Sequence, residues 1–477
     1  MNPKRFLIAT LLYMLGPRQM AFLQKALKLT RIKCVVSKYY RIVKLKGCVS
    51  VLKEVNIQGY RAIDKFNLEL SKVNVLVGRN NTGKSSILEA IAILLSSCHK
   101  FKNPLTGESL LGYLAEIRGG YQYLINVNST CAIVSATMEN NSTLCTRMFL
   151  KEKLPAMSSK DQKTLWNAIR EIAEKDIERS IEKLKEEIRL FEERLSSITS
   201  KTLREKYTTR LEELEKKLRR YSLDKNSILN ERVNDILRRV RFAALSYYND
   251  VALSAYIHFT STHTRTMNTE DEWSMFFELP FLFEFPSEFI TSFRRTPSDI
   301  KFYARLVGKL SLLLDKLDVG MLIKVLDKLR NIVPYFQDYR DGSVVFNYSK
   351  RLEIIPLSST GEGFQALLEL LPPVLLGAKV IIIEEPEVHL HPGFMEKYSL
   401  EMLKMVKDYN VQFIVSTHSL EFLRDLLMNA RQMGVINDIK FVRMYRHYST
   451  GELDYEILSG EESYEELESL GGDLRGP

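Results

Sequence analysis

Two periodicities divide this chain. From Leu52 to Gly78 polar and apolar residues alternate in short segments (LKEVNIQGYRAIDKFNLELSKVNVLVG), the period-two signature of strands. After a polar loop, SSILEAIAILL repeats at helical spacing. Tyr121 to Phe149 returns to β-branched and aromatic residues with a turn signal at Glu139-Asn140-Asn141, so antiparallel strands are expected there, beside the loop. A different pattern follows: Ile177, Ile181, Leu184, Ile188, Phe191, Leu195 and Ile198 fall at alternating steps of four and three, with Glu, Lys and Arg between them. Leu203, Tyr207, Leu211, Leu214, Leu218 and Tyr221 repeat this seam after a five-residue step. An antiparallel helical hairpin with arms about 35 Å long is expected over 177–221. One bent helix is the alternative, because no Gly or Pro marks the bend.

Residues 226–330 read as mainly helical, broken by the Phe-rich segment MFFELPFLFEFPSEF, which suits core or interface. Asp341-Gly342 is a hairpin turn signal ahead of SVVFNYSKRLEIIPL, where strand periodicity resumes.

Composition narrows the class. With 477 residues, 45% of them hydrophobic and 27% charged, the chain has enough apolar material for about two or three folded domains. Cys34, Cys48, Cys98, Cys131 and Cys145 include no Cys-x-x-Cys pair and no His at metal-ligand spacing, which suits free thiols in a reducing cytoplasm. The net charge of +9 suggests nucleic acid only until it is divided, because residues 1–50 hold 11 Lys or Arg and no Asp or Glu. The remainder carries 57 basic against 59 acidic side chains, so bulk charge argues for no polyanion there, although a local basic stripe would escape the count. Lys4-Arg5 and the apolar run Phe6 to Leu15 resemble the start of a signal sequence, but no small-x-small site follows and the run is too short to span a bilayer. No stable membrane insertion is expected. A basic arm, a docked helix and sequence upstream of the true start all remain open readings of this extension.

The strongest chemistry lies between the strand VNVLV and the first helix, in Gly78-Arg79-Asn80-Asn81-Thr82-Gly83-Lys84-Ser85-Ser86. Gly78 and Gly83 let the backbone turn so that N–H groups converge on a polyphosphate, and the helix aims the positive end of its dipole at the same point. In a Gly-x4-Gly-Lys-Ser loop, Lys84 reaches the β and γ phosphates and the Ser85 hydroxyl meets Mg²⁺. A turn serving structure alone has no need of Lys and Ser at those positions, so ATP and Mg²⁺ are the expected cofactors. A second cluster follows the buried-type strand Val380 to Ile383, which ends in adjacent carboxylates, Glu384 and Glu385. Strand alternation points them to different sides, so that one can order Mg²⁺ while the other meets an attacking water. His418 follows another apolar strand, at the C-terminal end where parallel α/β sheets bind ligands.

GRNNTGKS at 78–85, STGEG at 359–363, IIIEEPEVHLHP at 381–392 and STHS at 416–419 stand in the order found in ABC-type ATPases of the SMC and RecF group. The chain resembles most closely the standalone RecF- or OLD-like ATPases, over roughly residues 52–150 and 343–450. The resemblance implies an α/β fold, a P-loop NTPase of ABC/SMC type with an inserted mainly helical, short coiled-coil segment. On that basis 51–150 is an ATPase N-lobe, 151–342 a helical insertion, 343–460 the C-lobe and 461–477 an acidic tail. It further implies that Ser359, Gly361 and Glu362 form a signature element capping the γ-phosphate bound to the opposite subunit. Glu387 to His391 would lie in a loop crossing the dimer interface. Glu384 takes the Walker B position, Glu385 that of the general base and His418 that of the γ-phosphate switch.

The chain departs from the family pattern in several places. Thr360 stands where the transporter-type signature has Gly, and Glu384 where many relatives have Asp. The helical segment has no Cys-x-x-Cys tip resembling a zinc hook, and no Toprim domain like that of OLD-type nucleases is expected in the roughly 60 residues of this sequence after His418. The implied function is Mg-dependent ATP hydrolysis driving a nucleotide-sandwiched homodimer, in DNA repair or defence against foreign DNA, with duplex DNA and a separate nuclease or effector as partners. Two other readings share the motifs: a nucleotide-gated interaction platform with little turnover, and a transporter ATPase subunit. The inserted hairpin and the EEPEVHLHP form stand against the transporter. No Asn-Lys-x-Asp motif supports a GTPase.

Overall fold

Strands β1 (Leu52–Tyr60) and β2 (Ile63–Glu69) form an antiparallel hairpin and lead into β3 (Val73–Gly78), whose six residues are all buried. The loop after β3 feeds helix α1 (Lys84–Ser96), followed by α2 (Leu110–Arg118) and strands β4 (Ala132–Met138) and β5 (Thr143–Leu150). Next come α3 (Ser159–Ser197), α4 (Lys201–Leu223) and α5 (Lys225–Arg239), then β6 (Val240–Tyr248), β7 (Val251–Phe259) and β8 (Trp273–Glu278). After α6 (Val319–Ile332) run β9 (Phe336–Arg340), β10 (Ser343–Tyr348) and β11 (Arg351–Pro356), then α7 (Glu362–Leu375) and β12 (Val380–Glu384). The chain continues through α8 (Pro392–Tyr409), β13 (Gln412–Ser416), α9 (Leu420–Met433), β14 (Ile439–Arg446), β15 (Leu453–Ser459) and α10 (Gly460–Glu468). This computed structural model describes residues 51–96, 110–259, 273–278, 314, 317, 319–349, 351–375, 379–388, 390–468 and 472–475. They fall within one compact unit, Ser50–Pro280 with Ser287–Pro477. The basic extension 1–50 and the Phe-rich stretch beyond Glu278 lie outside the described residues.

The strands form three sheets. A five-stranded sheet has the order β12-β13-β3-β14-β15, parallel except for β15. A seven-stranded antiparallel sheet runs β2-β1-β4-β5-β6-β7-β8, and a small one β11-β10-β9. Val73, Val75 and Val77 of β3 share a core with Leu367 of α7, Met402 of α8 and Leu423 of α9. On the antiparallel sheet, Ile169 and Ile172 of α3 and Val233 of α5 pack with Ala243 and Leu245 of β6. Asp341 and Gly342 both have positive φ (47° and 77°), the geometry of a two-residue turn joining twisted strands β9 and β10. Among the described residues, no helix is long and apolar enough to cross a membrane.

Two expectations need correction. The segment 151–342 is not a helical insertion alone, because β6, β7 and β8 complete the sheet begun by β1, β2, β4 and β5. In β6 only Arg241 is exposed, so a strand buried on both faces loses its period-two alternation and reads as a continuation of α5. Residues 461–477 are likewise not simply an acidic tail. Ser463 and Leu467 of α10 and Leu474 beyond it are buried, on a spacing that a count of charges conceals. In addition, Tyr121–Leu124 forms a 3₁₀ turn ahead of β4 where a strand was expected. At the predicted seam, the break at Ile198–Ser200 separates two helices, α3 and α4, with the rings of Phe191 and Tyr207 5.3 Å apart across them.

Helix α1 lies between the two large sheets, against β3, β12 and β13 on one side and β1, β4 and β5 on the other. Every residue but Ser85 is buried, which explains why its sequence is apolar nearly all round. Its one interior carboxylate, Glu89, is fully buried and paired with Arg61 (2.5 Å) and Arg118. The Tyr60 hydroxyl also donates to it (3.3 Å), and burial followed by the Glu89 charge pushes that phenol well above its ordinary range. Gln412 links the sheets from another direction. Its side chain accepts from Leu52 N–H (3.0 Å) and donates to the carbonyls of Leu52 and Ser71 (both 2.8 Å). Removing Glu89 strands two guanidinium groups that reach solvent only in part. Glu89→Ala is therefore expected to lower the unfolding free energy by about 2–4 kcal/mol, read as a lower urea midpoint at unchanged slope. A change below about 0.5 kcal/mol would show that the triad contributes little.

Candidate functional site

The phosphate loop is shaped by its glycines and their neighbours. At Gly78 φ is 143°, and a Cβ there would lie 2.3 Å from the Met444 carbonyl oxygen on β14, so no side chain fits. The chain turns again at Asn81 (φ 62°) and Gly83 (φ 86°). Thr82 Oγ1 donates to Arg79 O (2.8 Å), and Arg446 at the end of β14 donates Nε to Asn81 O (2.8 Å). Lys84 Nζ folds into the loop and donates to the carbonyls of Gly78 and Arg79, both at 2.8 Å. Burial brings its ammonium down to about 8, against the opposing pull of Glu385 and Glu384. Among the described residues, the backbone N–H groups of Asn80, Asn81, Thr82 and Gly83 donate to nothing within the chain. Four free donors beside a buried ammonium fit a polyphosphate.

Strand register brings the second cluster to the same edge. Glu384 of β12 lies beside Ser416 of β13, and Ser416 beside Leu76 of β3, so three parallel strands end together. Glu384 is buried at the end of its strand. Glu385 leaves the sheet in the left-handed region (φ 50°), with its N–H donating to Ser416 O (2.8 Å) and its side chain half-exposed. That conformation costs a non-glycine residue about 1–2 kcal/mol, and it accompanies two different environments, a buried Glu384 and a half-exposed Glu385. His418 Nε2 lies 3.7 Å from Glu385 Oε1. Burial first, then the charges of Lys84 and Arg475, hold the imidazole below its usual pKa against the pull of Glu385, so it is neutral near pH 7. The structure thus brings together Gly78 to Ser86, Glu384, Glu385 and His418. The Ser85 hydroxyl and Glu384 carboxylate are hard oxygen donors of the kind Mg²⁺ takes alongside phosphate oxygens.

The residues that the resemblance assigns to the signature lie on other elements. Leu357–Ser359 forms a 3₁₀ turn after β11, and Glu362 opens α7. Thr360 is buried with its hydroxyl donating to Leu357 O (2.7 Å), and Gln365 Nε2 bonds the carbonyls of Leu357 (3.2 Å) and Thr360 (2.9 Å). Thr360, the departure from the family pattern, is therefore a brace for the turn. Ser359 and Gly361 are exposed, and a Cβ on Gly361 would meet nothing within 4 Å. Among the described residues, no hydrogen bond or ion pair joins either of them to the phosphate loop of the same chain.

Sequence reasoning missed several contacts. Within the chain, the Oε1 of Glu387, which the resemblance places in a loop crossing to a partner, accepts from His418 N–H (3.0 Å) at the end of β13. Burial pushes the Glu387 carboxyl up, opposed by its hydrogen bonds from His418 N–H and Thr417. His391 caps α8, its Nδ1 accepting from Gly393 N–H (3.3 Å), and His389 lies outside the described residues. Arg475 donates to His418 O (3.4 Å) from a segment whose composition gave no hint of the site.

A family model described as AAA ATPase domain matches residues 51–423. Over 121 residues the chain is 36% identical to an uncharacterized protein of Methanocaldococcus jannaschii, MJECL11, a match covering 24% of this chain and 99% of that one. A second uncharacterized protein of that organism, MJECL10, is 38% identical over 60 residues, 12% of this chain and 27% of its own, so the chain spans about a quarter of that relative. Among solved structures, the Smc head domain of Pyrococcus furiosus, with an extended coiled coil and bound to the C-terminal domain of ScpA, is similar at 15% identity. That match covers 89% of this chain and 100% of the other at a TM-score of 0.38, too loose a likeness to bear on mechanism.

The depressed Lys84 gives a signed pH prediction. Phosphate binding needs the ammonium, so nucleotide affinity should be flat below the free-state pKa of about 8 and fall as pH rises through it. A roughly tenfold loss per unit above 8 is expected from calorimetric titration with Mg-ATP, accompanied by proton uptake. Affinity unchanged to pH 9.5 would contradict this state of Lys84.

Proposed function

Because the chain belongs to the AAA ATPase domain family, we propose that it binds and hydrolyses ATP at a site completed by a second copy of itself. One observation carries this reading. The phosphate loop, Glu384, Glu385 and His418 meet at one sheet edge, while Ser359 and Gly361 are exposed and, among the described residues, make no hydrogen bond to that loop. A head-to-tail pair places each exposed signature over the nucleotide of the other copy. The EEPEVHLHP form supports placing the chain with the ABC-type ATPases of the SMC and RecF group, nearest the RecF- and OLD-like members.

In this reading, loop N–H groups and Lys84 hold the β and γ phosphates and stabilise the charge that develops on them. Mg²⁺, held through Ser85 and Glu384, supplies neutralising charge when bound. Glu385 orients the attacking water and takes its proton, and the left-handed backbone turns this carboxylate out of the sheet. Neutral His418, beside Glu385, would donate to the γ-phosphate, while Glu387 and Arg475 fix its backbone. Ser359, Gly361 and Glu362 of the partner copy close the site. The output we propose is DNA repair or defence against foreign DNA in the cytoplasm, with a separate effector.

The test is sedimentation of Glu385→Gln protein, which should bind ATP but hydrolyse it at least about 100-fold more slowly. A dimer that forms with Mg-ATP and is absent without it is expected. A protein that binds ATP and stays monomeric would remove the trans site and leave a nucleotide-gated interaction platform.

A further inference from the structure

Outside the first fifty residues the chain is nearly neutral, but its charge is unevenly placed. The contact of Phe191 with Tyr207 sets the register of the α3–α4 hairpin and brings Arg194 level with Arg204, with Lys201 at the bend. Beyond Ile177 no residue of α3 is buried, so the last 20 residues of that helix form an exposed arm about 30 Å long. Between those level positions, from Arg194 to Arg204, there are three basic residues, Arg194, Lys201 and Arg204, and no acidic one, while Lys206 just below lies level with Glu192. Lower on the arm, Arg189 pairs with Glu186 (2.8 Å) and Glu193 (3.2 Å), and Arg210 with Glu213 (2.6 Å). At the tip, Arg194, Lys201, Arg204 and Lys206 are exposed, and among the described residues none of them is in an ion pair.

Helix stability does not explain this placement. Lys201 and Arg204 sit in the first turns of α4, where the helix dipole favours carboxylates, and that first turn has none. Like charges clustered within two turns also repel. A local rule broken without compensation inside the fold points to a partner outside it.

We infer that the tip of the α3–α4 hairpin is a contact surface for the phosphate backbone of duplex nucleic acid. The inference rests on the DNA-linked reading above and assigns it a surface. Guanidinium and ammonium groups interspersed with the exposed hydroxyl residues Thr199, Ser200 and Thr202 suit phosphodiester oxygens and carry no base readout, so binding is independent of sequence. An anionic membrane fits less well, because Leu203 is the single large exposed apolar side chain between residues 194 and 211 among those described.

The test compares the full chain with Arg194→Glu/Lys201→Glu/Arg204→Glu/Lys206→Glu, and with Lys183→Glu/Lys185→Glu/Lys216→Glu/Lys217→Glu, which makes the same charge change on the shaft. Binding to a fluorescent 30-base-pair duplex is followed by anisotropy from 50 to 200 mM salt, with and without Mg-ATP, and circular dichroism verifies folding. The tip variant should lose at least about tenfold in affinity and about 3 units of the log–log salt slope, while the shaft variant stays close to the parent. Basal ATP hydrolysis should be unchanged in both. Equal losses in the two variants, no loss at the tip, or a parent chain that does not bind the duplex would each overturn the inference. So would a tip variant that keeps the duplex but loses anionic vesicles. A parent chain inert towards ATP whose duplex binding still depends on the tip would overturn the ATPase reading and leave this one standing.

Discussion

The burial of α1 between two sheets is the constraint from which the rest of the site follows. A helix enclosed on all sides cannot drift, so the loop entering it at Lys84 is held by β3 on one side and by the helix on the other. Enclosure forces the interior carboxylate Glu89 to be paired, and its partners Arg61 and Arg118 come from the antiparallel sheet's first hairpin and from α2. The same sheet closes only when β6 to β8 return from beyond the helical hairpin. The phosphate loop is thus a short local motif whose shape depends on distant residues, among them Arg446, 365 positions from the Asn81 carbonyl it holds.

Environment then differentiates groups that look alike in the sequence. Two neighbouring glutamates become a buried one at a strand end and a half-exposed one in a left-handed turn, and the turn also swings Glu387 against the His418 loop. Lys84 is held by carbonyls and its ammonium is disfavoured by burial, so an anionic phosphate would supply the compensating negative charge. Neutral His418 lies 3.7 Å from Glu385 and feels the charge of Lys84. Each perturbation works against folding stability, and their clustering at one sheet edge is what a ligand site requires.

What was legible in the sequence was whatever depends on short-range pattern. Gly78 and Gly83 announce their turn because only glycine tolerates it, and the edge that joins Glu384 with His418 follows from apolar runs that end in polar residues. The break near Ile198 shows as a slip in the heptad, although pattern alone could not exclude one bent helix. Strands β6 and β7 escaped because burial on both faces erases alternation. The link from Gln412 to Leu52 spans 360 positions, and no local rule anticipates it. Arg475 and Leu474 were hidden by the acidic composition around them, and no local pattern shows that the Thr360 hydroxyl braces its turn.

Whether one copy completes the site of another is most directly tested by mixing two inactive variants, Lys84→Ala and Gly361→Asp, in equal amounts with Mg-ATP. In a sandwich, half of the dimers are mixed, and each mixed dimer has one site bearing both lesions and one bearing neither. Hydrolysis should then recover to about a quarter of the wild-type rate. A mixture no more active than either variant alone would contradict a site shared between two copies.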